Sequence, residues 1–364
     1  SAQLLLSSHS GTTFAHSSLV IMNSVLSIAG VRANNILMTS DVGAVEFSTS
    51  AITVSSSSLS AVCDIGVGFC QPGNLRLLKS FVSQLNVRGS YSNFTTISPS
   101  GSMAPHGILI GKPASGSPLT DMPISNFTLS LFGSNISTSA PTTNAFALWI
   151  ESFNFSRSGG NVVTIEKSSL SAKCLVGCKL VHYAPTTSPP ENSTTMTSHP
   201  LRIIEVAATL EQTVQLSSST PFTVTVLYQE HFLVRYLHLA YRNTATPITK
   251  SPVVYFERTQ DSTFALQYSE ISITGGAACI VSTNLQLNQL LLIIFQTTVY
   301  LEDSVGSASL FRSISWSRRC MKLRMAAPSN AMFATAFSAP TSPSMEHQGH
   351  PSTQARCSPT PSTF

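Results

Sequence analysis

Few residues of this chain stand at spacings that carry chemistry. A phosphate loop needs Gly-x4-Gly-Lys-Ser/Thr, so that backbone amides cradle phosphate and the hydroxyl reaches a metal. The nearest approach is Gly107-Ile-Leu-Ile-Gly111-Lys112-Pro113. It has one residue too few between the glycines and a proline in place of the hydroxyl, so it reads as a strand followed by a turn. No Gly-x-Ser-x-Gly elbow and no His-Glu-x-x-His pair occur. Acid–base cleavage of a sugar needs two carboxylates held across a groove. The five aspartates are Asp41, Asp64, Asp121, Asp261 and Asp303. Asp41 and Asp64 are separated by close to one turn of a coil-like fold, and are expected not to form a site. Glu302 and Asp303 point to opposite sides of an extended chain.

The seven cysteines stand at 63, 70, 174, 178, 279, 320 and 357. Cys174-Leu-Val-Gly-Cys178 has a spacing that zinc sites use, but Cys63 and Cys70 do not match it and no histidine pair completes the set. No metal and no other cofactor is expected. Local disulfides, Cys63–Cys70 and Cys174–Cys178, or buried free thiols account for these four residues. Asn-x-Ser/Thr occurs at Asn93, Asn126, Asn135, Asn154 and Asn192, each a candidate glycan acceptor. Asn126 and Asn154 sit between apolar positions and are therefore read on a solvent face. His231 and His238 are read as core-edge residues.

The elements that hold these residues are extended. Charged residues make up 10% of the chain, well below an ordinary soluble domain, whereas 60 serines and 37 threonines supply the polar surface. Such a surface points outside the cell. The first 310 residues hold 14 Lys/Arg and 15 Asp/Glu, a net of −1. A body this neutral has no electrostatic footprint for nucleic acid. The six cations after residue 310 include the run Arg318–Arg324, read as a solvated tail. No apolar stretch is longer than Leu290–Phe295, which is far short of the roughly 20 residues that span a bilayer.

Strand periodicity is strong. Ser24-Val-Leu-Ser-Ile-Ala-Gly30 places Leu26 and Ile28 on one side, and the frame Ser-x-apolar-x-apolar-x-Gly returns from Ser83 and from Ser269. Looser copies start at Ser125, Glu151 and Ser168. Serine and glycine at the ends are read as turn residues. The copies are unevenly spaced, which excludes the fixed period of a propeller. Short strands with loops of varied length fit a right-handed parallel β-helix, with a β-sandwich as the alternative. Phe232–Tyr241 and Leu290–Phe295, apolar on both faces, favour the β-helix. At about 24 residues per coil the body would reach some 60 Å.

The expected organisation is a solenoid body over 1–316, with insertions near 98–123 and 183–200, and a disordered tail over 317–364 whose prolines and lost periodicity oppose packing.

The repeated frames, as in NSVLSIAG and SEISITGG, resemble the β-helical surface proteins of kinetoplastid protozoa, among them the dispersed gene family proteins of trypanosomes. That resemblance implies a membrane-attached, glycosylated, adhesive protein with no active site. The leading expectation is therefore a non-enzymatic protein of the cell surface or extracellular space. It would act in adhesion or display, with glycans or host and cell-surface proteins as partners. The alternatives are a carbohydrate-active enzyme on the same scaffold, either a lyase or a glycoside hydrolase, and a gene fragment without function.

Overall fold

A computed structural model describes residues 4–326 apart from 9–11, 31–32, 41–44, 64–71, 79, 83, 100–103, 112–125, 152–161, 185–200, 213–220, 229–230, 244–250, 275–277, 284–286, 303–308 and 314–321. Every regular element among the described residues is a strand. Every strand pairing among them is parallel, and each strand pairs with the one a full coil away. Parallel neighbours one coil apart define a β-solenoid and exclude the sandwich, whose sheets are antiparallel.

Each coil has three main faces. Face A carries strands such as Asn34–Ser40, His106–Ile110 and Phe146–Glu151. Face B carries Ser50–Ser55, Leu85–Ser90 and Phe127–Phe132. Face C carries Val25–Gly30, Asn93–Ile97 and Glu270–Thr274, and is a nine-stranded sheet. Faces A and B merge into one 19-stranded sheet because Ser251–Gln267 runs from one to the other unbroken. Three short strands, Thr12–Ala15, Val45–Ser48 and Ser80–Val82, add a small fourth face to the first coils.

Alternation within each strand produces the core. On face C, inward residues stack coil on coil from Leu26 and Leu59 through Phe94, Ile136 and Leu170 to Val299. Leu59 and Ile136 are fully buried, as are Leu129 and Ile165 on face B. Each such side chain contributes roughly 1.5–3 kcal/mol. No coil buries its apolar face alone, so neighbouring coils are mutually required.

Four expectations change. A coil is longer than expected: corresponding turn residues lie 33, 35, 42 and 34 apart in successive coils. The nine strands of face C therefore rise roughly 40 Å at about 4.8 Å per step, short of the expected reach. The stretch 98–123 is not one insertion, since His106–Ile110 inside it is a buried strand of face A. Past 316, Lys322–Ala326 is a strand paired with Leu291–Phe295, so the solenoid extends into the expected tail. Phe232–Tyr241 is not one strand apolar on both faces. It is the end of His231–Arg235, a turn, and the start of His238–Asn243.

Candidate functional site: an aromatic edge between two faces

Faces B and C meet at a recurring two-residue turn. Among the described residues its first position is left-handed nine times over, at Asn23, Ser56, Tyr91, Gly133, Lys167, Glu205, Tyr236, Tyr268 and Gln296, with φ between 45° and 58°. Glycine and asparagine take that conformation readily, whereas it costs other residues about 1–2 kcal/mol. The closing glycine of the first frame, Gly30, has a positive φ of 150°, and in the frames from Ser24, Ser168 and Ser269 the residue before the opening serine is left-handed as well.

That serine explains how a strained turn persists. Ser24, Ser57, Ser92 and Ser134 each donate a backbone N–H to the hydroxyl of the serine one coil on, at 3.1, 3.2, 3.3 and 3.1 Å. Each hydroxyl donates in turn to the carbonyl two residues back, as Ser57 does to Ser55 at 2.7 Å and Ser168 to Glu166 at 2.7 Å. Val206 and Leu237 replace serine in two coils and are buried. The ladder resumes where Leu237 N–H donates to Ser269 at 3.1 Å.

The left-handed residues project outward as a ridge along the solenoid. Tyr91 is 65% exposed, Tyr236 42% and Tyr268 39%. Bulky side chains in this backbone region are uncommon and concentrate where strain serves a purpose. Tyr91 packs edge-on against Phe132 of the next coil, with ring centroids 5.4 Å apart at 85°. Its ring also lies over Gly133, where an added Cβ would stand 2.7 Å from a ring carbon. Lys167 Nζ sits 5.5 Å from the Phe132 ring. The same geometry returns at Tyr268 and Phe295, 5.2 Å apart at 81°, and Tyr236 stacks on Tyr268 at 5.2 Å and 19°. Beneath them Arg235 forks onto the Gln267 oxygen at 3.2 and 2.9 Å.

The residues singled out by sequence do not converge here. Gly107 belongs to a strand, and its lack of a side chain is a packing requirement, since a Cβ would stand 2.6 Å from the Ala147 carbonyl oxygen. Asp41, Asp64, Asp121 and Asp303 lie outside the described residues, and Asp261 lies within Ser251–Gln267. Asp41 follows a strand of face A and Asp64 one of face C, and the coils in that region are too long for the spacing of the two to be one coil. Cys174 and Cys178 form a disulfide at the end of a face C strand. Cys63, which ends another strand of that face, is also disulfide-bonded, and Cys70 lies outside the described residues. Asn93 and Asn126 are exposed and Asn135 half-buried, while Asn154 and Asn192 lie outside the described residues. Asn126, at φ 50°, immediately precedes the strand Phe127–Phe132 rather than lying within a strand. His238 is not a core-edge residue; its side chain is 68% exposed and 3.4 Å from Glu270.

Two further polar clusters are structural. Inside the corner between faces C and A, Asn35 donates to Asn74 at 2.7 Å and Asn74 to Thr96 at 2.9 Å. Arg76 donates to Asn34 at 3.1 Å, and burial pushes its guanidinium down to about 10. On the outer side of face A, Trp149 stacks on His182 at 3.8 Å, meets Phe146 edge-on and donates to Glu151 at 2.7 Å. Trp149 is only 9% exposed, so its ring faces its own neighbours. Among the described residues no three His, Cys, Asp or Glu side chains are grouped to hold a metal, and no helix is long and apolar enough to cross a membrane.

The exposed edge is hard to find in the sequence because Tyr91, Tyr236 and Tyr268 are far apart and unevenly spaced along the chain. The available signal is the pair Tyr-Ser, seen at Tyr91-Ser92 and Tyr268-Ser269. The chain matches no protein-family model, no curated protein and no solved structure.

Proposed function

We propose that this chain is a non-enzymatic protein of the cell surface or extracellular space that acts in adhesion or display, and that the aromatic edge is its recognition element. The observation that carries this reading is the row of exposed tyrosines held at φ near 50°. The corner imposes that conformation in every coil, and at these three positions it holds a large ring in solvent. Rigid rings with polar tips are what recognition surfaces use. The disulfide at a buried corner, the hydroxyl-rich surface and the outward Asn93 suit an oxidising, extracellular setting. Surface glycans or proteins of another cell are the partners.

The test is binding of the fluorescently labelled chain to intact cells. A triple variant, Tyr91→Asn, Tyr236→Asn and Tyr268→Asn, keeps the left-handed turns in a residue that tolerates them. The variant should lose binding by at least about tenfold, one hot spot's worth. Equal binding by the two proteins removes the edge from the recognition surface. Release of product from any polysaccharide by the wild-type chain contradicts a non-enzymatic role.

A further inference from the structure

We infer that the edge is bivalent: Tyr91 at one end and Tyr268, with Tyr236 stacked on it, at the other are two platforms that engage one linear, neutral polysaccharide at two points roughly 24 Å apart, five coil steps of about 4.8 Å. The inference rests on the recognition role of the edge proposed above.

Three observations carry it. First, the platforms share one construction. In each, a left-handed tyrosine packs edge-on against a phenylalanine that precedes the turn of the next coil, with ring centroids 5.4 and 5.2 Å apart and interplanar angles of 85° and 81°. Each tyrosine is held by its neighbours while it stays exposed, 65% and 39%. Preorganised rings of this kind lose little entropy on binding.

Second, the parallel register fixes their separation. The strands that follow them, Asn93–Ile97 and Glu270–Thr274, belong to one sheet, with Asn135–Ala140, Ser169–Cys174, Ala207–Gln212 and His238–Asn243 in order between them.

Third, the edge presents one left-handed residue per coil. A globular protein partner needs roughly 800 Å² of contact on each side, whereas a line of contacts suits a chain. Between Tyr91 and the Tyr236–Tyr268 pair the ridge presents Gly133, Lys167 and Glu205, one charge of each sign, and the first 310 residues carry a net charge of −1. A neutral ligand matches that balance. The negative face of an aromatic ring attracts the C–H-rich face of a sugar, and the phenol adds a hydrogen bond.

The experiment uses the full chain and an array of neutral linear oligosaccharides, each series running from disaccharide to decasaccharide, followed by titration of the series that binds. The expected result is a jump in affinity on the order of 10²-fold once a member spans both platforms. Tyr91→Asn alone, or Tyr236→Asn with Tyr268→Asn, should return the long member to the affinity of the short one. The length dependence of the wild-type chain stands as a test even where a variant folds poorly, and circular dichroism of each variant identifies that case. Affinity that grows smoothly with length, or a jump that survives either variant, overturns the inference. Cell binding with no neutral glycan bound, or with binding to an unglycosylated surface protein, overturns the inference and leaves the adhesive role standing. No binding to cells and none to glycans removes both.

Discussion

The backbone amide of Ser57 donates to the hydroxyl of Ser92, one coil up, at 3.2 Å. Ser92 Oγ hands its own proton to the Ser90 carbonyl at 2.8 Å, so one buried hydroxyl closes its own turn and caps the one before it. Ser92→Ala leaves the Ser57 N–H without an acceptor and should cost about 1–3 kcal/mol. Ser24, half-buried in the first coil, gives its hydroxyl to Met22 and receives no N–H from another serine turn among the described residues. Ser24→Ala should therefore cost less, about 0.5–1.5 kcal/mol. Urea midpoints at constant m-value would rank the two; equal losses would show that the ladder adds nothing beyond each serine's own turn.

Gly133→Ala should destabilise through two routes that share one atom. The new methyl enters a left-handed position at φ 58° and stands 2.7 Å from the Tyr91 ring. The backbone part alone is about 1 kcal/mol or more. Removing the ring first relieves the second part, so Tyr91→Ala and Gly133→Ala combined should cost less than the sum of the single changes, by about 0.5–3 kcal/mol. Simple additivity in a double-mutant cycle would mean that the ring does not rest on the glycine.

Glu205→Asn should stabilise the fold. Glu205 is exposed and left-handed at φ 53°. Asparagine adopts that conformation at lower cost, which is worth about 0.5–1 kcal/mol. Thermal unfolding should shift upward. A downward shift would mean that the glutamate makes a favourable contact at this turn.

Removing the Cys174–Cys178 link by a paired change to alanine should cost about 2 kcal/mol in chain entropy, since the loop it closes is only a few residues long. Both sulfurs are buried, so the variant also leaves small cavities and the total should exceed that figure. The far-ultraviolet spectrum should remain that of a β-protein. An unchanged midpoint would show that the two thiols are not bonded in solution.

Asn93 and Asn135 are direct neighbours in register on adjacent strands, as are their partner hydroxyls Thr95 and Ser137. Glycans on both would leave the sheet about 4.8 Å apart, too close for two branched sugar trees. In a glycosylating host at most one of the two should be occupied on any folded molecule. Glycopeptide mass spectrometry that finds both sites filled on one chain contradicts the register.

Much of the architecture is legible in the residues themselves. Alternation in Val25–Gly30 and Glu270–Thr274 marks strands because a half-buried strand must alternate. The shortage of charge and abundance of hydroxyls point to stacked coils with a neutral surface. The coil length is not legible, because the frames from Ser83 and Ser125 lead into face B while those from Ser24, Ser168 and Ser269 lead into face C. One sequence pattern serves two corners, so its spacing does not measure the repeat.

Local chemistry thus determines that the chain forms strands and which side of each is apolar, since both follow from a period of two within a few residues. Which strands become neighbours is decided only by closure of whole coils, where inward columns such as Leu59, Phe94 and Ile136 fit one above another. That fit brings Tyr91 over Gly133 of the following coil and sets Tyr91 and Tyr268 on a single edge. Such proximity depends on the loop lengths of every coil between, which no local pattern encodes.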